Sequence, residues 1–141
     1  MSANDIGAEW LIDATGCSPD ALRDRRVLLD VCGQVISELD LHAIGQPVVH
    51  EFPSPGGITA LFLLTESHLT CHTYPEFGVA TFNLYCCRMR PEWPWQARLE
   101  QALGAASVTV TRVIRGQRVI HGTGGPAEAE SALAGEGGGR Q

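Results

Sequence analysis

The run Ile58-Thr-Ala-Leu-Phe-Leu-Leu64 constrains this chain more than any other stretch. It is short, nearly all apolar, and preceded by Pro53-Ser-Pro-Gly-Gly57, a turn by composition. A brief apolar run bounded by such a turn reads as a buried strand rather than a helix. Residues 68–74 (HLTCHTY) then alternate as a strand does, Pro75-Glu-Phe-Gly78 turns the chain, and residues 79–86 (VATFNLYC) supply the next strand. The short turns between these segments favour antiparallel pairing.

The flanks complete the pattern. Residues 7–14 read as a first strand that ends at Gly16. Ser18 has the chemistry of an N-cap and Pro19 suits the first helical position. Apolar residues from Ala21 to Leu39 recur at helical spacing, which predicts a helix to about residue 40, locally weakened by Gly33. Residues 44–52 read as a strand whose Pro47 marks an edge or a bulge. A helix is expected over 91–103, with Trp93, Ala97 and Leu103 facing inward, and a β-branched strand over 106–114. The result is an α+β fold: a two-layer sandwich with helices packed on a mainly antiparallel sheet. Residues 1–121 form one domain on this reading. Residues 122–141, rich in Gly, Ala and Glu and without an aromatic residue, read as a disordered tail.

Composition excludes several functions. The chain has 141 residues, room for one domain with a core but not two. Its net charge of −6, with no basic run, argues against nucleic acid or an anionic membrane as partner. No apolar stretch approaches the roughly 20 residues of a membrane helix, and the N-terminal residues lack the apolar segment of a signal peptide. A cytoplasmic location is the default expectation. All 10 basic residues are Arg. Without Lys the chain cannot hold pyridoxal phosphate as a Schiff base. The five cysteines (17, 32, 71, 86 and 87) are odd in number and form no C-x-x-C pair, so neither a disulfide framework nor a structural metal site is expected.

Chemistry concentrates in Thr65-Glu-Ser-His-Leu-Thr-Cys-His-Thr-Tyr-Pro-Glu76, followed by Cys86-Cys87. Ser67 sits between Glu66 and His68 at the end of a strand, His72 lies further on, and the Cys pair closes the next strand. Hydroxyl, imidazole and thiol groups on adjacent strands can converge on one pocket. Ordinary strand histidines and core cysteines would give the same residues. No G-x-S-x-G elbow surrounds Ser67, and the His and Cys spacing is not diagnostic of a metal. Alternate strand residues face opposite ways, so only one of Cys86 and Cys87 can enter a given pocket.

The segment Glu66-Ser-His-Leu-Thr-x-His72-Thr-Tyr74-Pro-Glu76 resembles the processing and catalytic motif of prokaryotic S-adenosylmethionine decarboxylases. Gly7-x-x-x-Leu-x-Asp-x-x-Gly-Cys17 resembles the family's first strand and turn, and the likeness runs over roughly residues 7–118. It implies a proenzyme that cuts itself between Glu66 and Ser67. The Ser67 hydroxyl attacks the Glu66 carbonyl, His72 helps remove the Ser67 α-proton, and residue 67 becomes a pyruvoyl group. The products are chains 1–66 and 67–141. The pyruvoyl ketone forms a Schiff base with the substrate amine, needing no pyridoxal phosphate and no metal. Cys87, by its spacing from Ser67, is the implied proton donor to the substrate α-carbon. Thr59 aligns with a family Ser that assists processing. Tyr74 and Phe52 are the implied stacking aromatics for adenine, and Glu76 the ligand for ribose hydroxyls or the sulfonium. The likeness further implies a homodimer of cleaved αβ protomers, with sites at the interface built from both, serving spermidine biosynthesis.

This chain departs from the family pattern at Glu9, where a His is common, at Asn83, where an Asp stands, and in the loop 53–57. These changes leave two other readings open. One is a pyruvoyl-dependent ornithine or arginine decarboxylase on the same fold. The other is an unprocessed homologue that regulates a partner protomer.

Overall fold

A computed structural model describes residues 5–117. The tail expected over 122–141 lies outside the described residues. In chain order the elements are β1 (Gly7–Thr15), α1 (Pro19–Arg23), α2 (Arg25–Glu38), β2 (Val48–Glu51), β3 (Ile58–Leu64), β4 (Ser67–Tyr74), β5 (Val79–Cys86), α3 (Trp95–Leu103) and β6 (Ser107–Arg115). The strands form one sheet in the order β2-β3-β4-β5-β1-β6. Every pairing is antiparallel. The helices cover one face, so the α+β two-layer fold expected from the sequence is the one observed.

The core is the interface between that face and the helices. Ala8, Trp10, Ile12 and Ala14 of β1 point into it, as do Ala80, Phe82, Leu84 and Cys86 of β5. They meet Leu22 of α1, Leu28, Val31, Cys32 and Val35 of α2, and Trp95, Leu99 and Leu103 of α3. Each large aliphatic side chain buried completely here contributes about 1.5–3 kcal/mol. Trp93 donates its indole N–H to Glu38 at 3.0 Å, and Arg98 pairs with the same carboxylate, which locks α3 to α2.

Four local expectations change. The helix expected from Ser18 to residue 40 is two helices, because Asp24 leaves the helical conformation and caps the second. Its carboxylate accepts from the backbone N–H of Arg26 and Val27. The strand expected over 44–52 is confined to Val48–Glu51, with a single earlier bridge from Ala43 to Leu64. The helix expected from residue 91 begins at Trp95; Trp95 and Leu99 face inward, and Ala97 is exposed. Finally, β3 is buried on one face only. Ile58, Ala60, Phe62 and Leu64 point to the helices, while Leu61 and Leu63 are 45% and 57% exposed on the opposite face.

The close seam between β3 and β4 depends on particular residues. A Cβ at Gly57 would lie 2.5 Å from the Thr73 carbonyl oxygen, so only glycine permits this approach. Thr73 is buried; its hydroxyl donates to the Leu22 carbonyl at 2.8 Å and accepts from the Ile58 N–H at 2.9 Å. One hydroxyl thus joins α1, β3 and β4.

Candidate active site

The sequence-selected residues fall into two groups at opposite ends of β4. The first surrounds His72. Antiparallel register sets Thr59 of β3 opposite His72 of β4. The Thr59 Oγ1 lies 2.6 Å from His72 Nδ1, a hydrogen bond that fixes the ring. His72 stacks edge-on against Tyr74, with ring centroids 4.5 Å apart, and against Phe52 at 5.7 Å. Phe52, His72, Tyr74 and Glu76 line a cleft of about 350 Å³ with the loop 53–57. The loop is held by the Phe52 N–H on the Gly57 carbonyl and by the Arg23 guanidinium on the Pro55 carbonyl. A cleft of this size, walled by two aromatic rings and carrying one carboxylate, suits a flat cationic ligand. A wider depression of about 890 Å³ beside α1, α2 and β2 is lined by Arg and Asp of mixed sign and holds none of these residues.

The second group surrounds Ser67. Thr65 and Glu66 form the two-residue turn between β3 and β4. Such turns favour Gly or Asn, because positive φ is needed. Here the unfavourable angle falls on Ser67, whose φ is 149°. A non-glycine residue in that region costs about 1–3 kcal/mol and persists only where its surroundings fix it. The Ser67 Oγ lies 3.0 Å from His68 Nδ1. The Glu66 carbonyl accepts from the Cys87 backbone N–H at 2.8 Å. Cys86 pairs with Ser67 in the ladder, is buried, and faces the helices; Cys87 is exposed. Burial pushes the Cys86 thiol up to about 11.

The convergence of Ser67, His72 and the thiols on one pocket, expected from the sequence, does not occur within this chain. Ser67 and His72 lie five residue steps apart on an extended strand, about 16 Å along β4. The imidazole beside the Ser67 hydroxyl is that of His68.

Two residues to which the sequence reading gave no role, His42 and Thr65, complete the second group. His42 donates its backbone N–H to Glu66 Oε1 at 2.9 Å, and its Nδ1 lies 3.0 Å from Oε2. The Thr65 hydroxyl donates to Oε2 at 2.6 Å. Burial pushes the Glu66 carboxyl up, but bonds from the His42 ring, the Thr65 hydroxyl and the His42 backbone outweigh it and hold the group at about 2. The Glu66 bond and charge raise His42 in turn. No sequence signal connects His42 to Glu66, since a loop position 24 residues away carries no periodicity or motif.

A single antiparallel sheet backed by helices, with a strained Glu-Ser turn and a separate aromatic and imidazole cleft, defines an α+β scaffold with a candidate active site. A family model described as S-adenosylmethionine decarboxylase matches residues 8–116, and the chain belongs to that family. The S-adenosylmethionine decarboxylase proenzyme of Caldicellulosiruptor saccharolyticus is 33% identical over 114 residues, covering 79% of this chain and 89% of the relative. The proenzyme of the same name from Clostridium tetani is 32% identical over 119 residues, covering 80% and 89%. The crystal structure of the adenosylmethionine decarboxylase from Aquifex aeolicus superposes with a TM-score of 0.68 at 23% identity, covering 85% of this chain and 98% of that one. That likeness concerns the fold. Among the described residues no helix is long and apolar enough to cross a membrane.

Proposed function

We propose that this chain is a self-cleaving, pyruvoyl-dependent decarboxylase of S-adenosylmethionine, acting in the cytoplasm on the route to spermidine. The strained Ser67 following a carbonyl already held by the Cys87 N–H is the observation that carries the reading. That N–H is directed at the oxygen on which charge develops when Ser67 attacks. His68 is within reach of the Ser67 hydroxyl proton. Bond making and breaking balance. The Ser67 Oγ–C bond to Glu66 forms as the peptide C–N bond breaks and the nitrogen takes a proton. Loss of the Ser67 α-proton then expels Glu66 as a carboxylate, and water releases the nitrogen as ammonia. Relief of the strain at Ser67 favours the first step.

The residues present fit a pyruvoyl group at position 67. When formed, that group supplies an electron sink for the bond electrons left by carbon dioxide. Cys87, on the exposed side of β5's end, is the proton donor; Cys86, buried toward the helices, is not. Phe52 and Tyr74 flank the adenine and Glu76 takes the ribose or sulfonium, a reading supported by their shared cleft. The two groups complete one another when a second copy brings its Thr59–His72 pair to Ser67. His72 of that copy then takes the α-proton. The face of the sheet away from the helices supports this assembly, since it exposes Val48, Leu61, Leu63 and Val113.

The test is the intact mass of the protein and of its Ser67→Ala variant. The wild type splits into 1–66 and a blocked 67–141, the variant stays whole, and the cleaved enzyme releases carbon dioxide from S-adenosylmethionine in preference to ornithine or arginine. A folded wild type that stays whole overturns the self-cleavage reading. Preference for a plain basic amino acid overturns the substrate alone.

A further inference from the structure

The carboxylate of Glu66 is held by three hydrogen-bond contacts, and its residue precedes the bond to be cut. It is 8% exposed although it occupies a two-residue turn, where side chains ordinarily face water. The segment that holds it is itself zipped to the turn. Thr65 donates its N–H to the His42 carbonyl at 2.9 Å, and Ile44 donates to the Leu63 carbonyl at 2.8 Å. Residue 42 therefore arrives with its backbone and ring both aimed at one carboxylate.

Three constraints meet at the scissile peptide. The ladder of β4 fixes the chain from Ser67 onward. The Cys87 N–H fixes the Glu66 carbonyl. The side chain of Glu66 supplies the third, and without it the turn could rotate to relieve the φ of 149° at Ser67. A strained residue needs such surroundings to persist. Charge-assisted bonds to a buried carboxylate are the strong kind.

We propose that the His42–Glu66–Thr65 cluster is a positioning device for self-cleavage, anchoring residue 66 by its side chain so that the bond to Ser67 is held in its strained form. The proposal rests on the self-cleavage reading of the Glu66-Ser67 turn. The device acts on the carboxylate and not on the reacting carbonyl, so it survives the cut. It then keeps residue 66, the new C-terminus of chain 1–66, docked beside residue 67. His42 and Thr65 are positioning residues, since neither touches the reacting atoms.

The proenzyme is made by cell-free translation, and cleavage is followed over time by intact mass for the wild type, His42→Ala, His42→Asn and Thr65→Val. His42→Ala and Thr65→Val each slow cleavage by about tenfold or more, the factor expected from losing one hydrogen bond to a charged group. His42→Asn, whose amide can donate from the position of Nδ1, recovers most of the rate. Melting of the same changes on the uncut Ser67→Ala background separates positioning from folding. A slowed rate with a folded chain, together with rescue by Asn, supports the device. Should His42→Ala fail to fold, Thr65→Val and His42→Asn decide the matter. Wild-type rates in all folded variants overturn it and leave self-cleavage intact. A wild type that never cleaves overturns both.

Discussion

A mixture of two inactive variants should cleave where neither does alone. The perturbation is to pair Ser67→Ala chains with His72→Ala chains. Within one chain the two positions lie about 16 Å apart along β4. General base chemistry needs heavy atoms about 3 Å apart, or one water between them. Side-chain reach does not close that gap on a rigid sheet, so the role proposed for His72 requires the Ser67 of another copy. In a mixed dimer one site joins the Ser67 of the His72→Ala chain to the His72 of the Ser67→Ala chain. That site is whole, and the other lacks both groups. Random pairing of equal amounts makes about half of the dimers mixed, so up to about half of the His72→Ala chains should yield a pyruvoyl-ended fragment. The chains are co-expressed with different tags and read by intact mass. His72→Ala alone yields no such fragment. Normal fragment formation by His72→Ala alone, or none in a mixture shown to contain mixed dimers, refutes a site shared between two copies.

Three further outcomes are expected. Cys87→Ser should leave cleavage intact but lower decarboxylation about 10²–10⁴-fold, while Cys86→Ser should keep turnover within a few-fold and cost about 1–3 kcal/mol of stability through its buried hydroxyl; single-turnover assays and denaturant titrations separate the two. Leu61→Glu with Leu63→Glu should convert the assembly to monomers by light scattering, since each leucine removed from a buried face forfeits about 1.5–3 kcal/mol. In uncut Ser67→Ala protein, the Glu66 carboxyl is depressed from 4.5 to about 2, so its contribution is present above 4.5 and lost as pH falls through about 2. His42 is raised above 6.5, chiefly by Glu66 and slightly by Asp40 against Arg90, so its contribution is full below 6.5 and fades as pH rises through the folded value. Thermal melting should therefore show the pair at its strongest between 4.5 and 6.5, and His42→Ala should flatten the alkaline limb.

Local rules made much of the fold legible. Residues 79–86 alternate cleanly, and β5 spans that range with its odd and even positions on opposite faces. Ser18 and Pro19 open a helix as their chemistry requires. The same rules missed Asp24, because helical periodicity continues across it while its side chain offers the following N–H groups a better partner than the chain behind. They also misjudged β3, since an apolar residue on the open face of the sheet looks in sequence like one facing the core. The pairing of Thr59 with His72 came from the observed register, and Thr59, Phe52, Tyr74 and Glu76 were legible through resemblance. The separation of Ser67 from His72 was not, although the five-residue interval within one strand already fixes it. His42 lay beyond reach, because its bond to Glu66 depends on where a loop returns to a turn.

Under the self-cleavage proposal, sheet order decides the fate of the cut chain. Fragment 1–66 would carry β1, β2 and β3, and fragment 67–141 would carry β4, β5 and β6. The observed order β2-β3-β4-β5-β1-β6 interleaves them. The seams β3–β4, β5–β1 and β1–β6 join one fragment to the other, with β1 held between two strands of the larger piece. The core is shared as well, for α2 of the small fragment packs with α3 of the large one. Separating the pieces would open the shared core and break three of the five strand pairings. Cleavage should therefore leave the fold intact. Cleaved protein should elute as one species in size-exclusion chromatography and melt cooperatively, with the fragments parting only in denaturant. Separate elution of 1–66 from native buffer would show that the two pieces do not share one core.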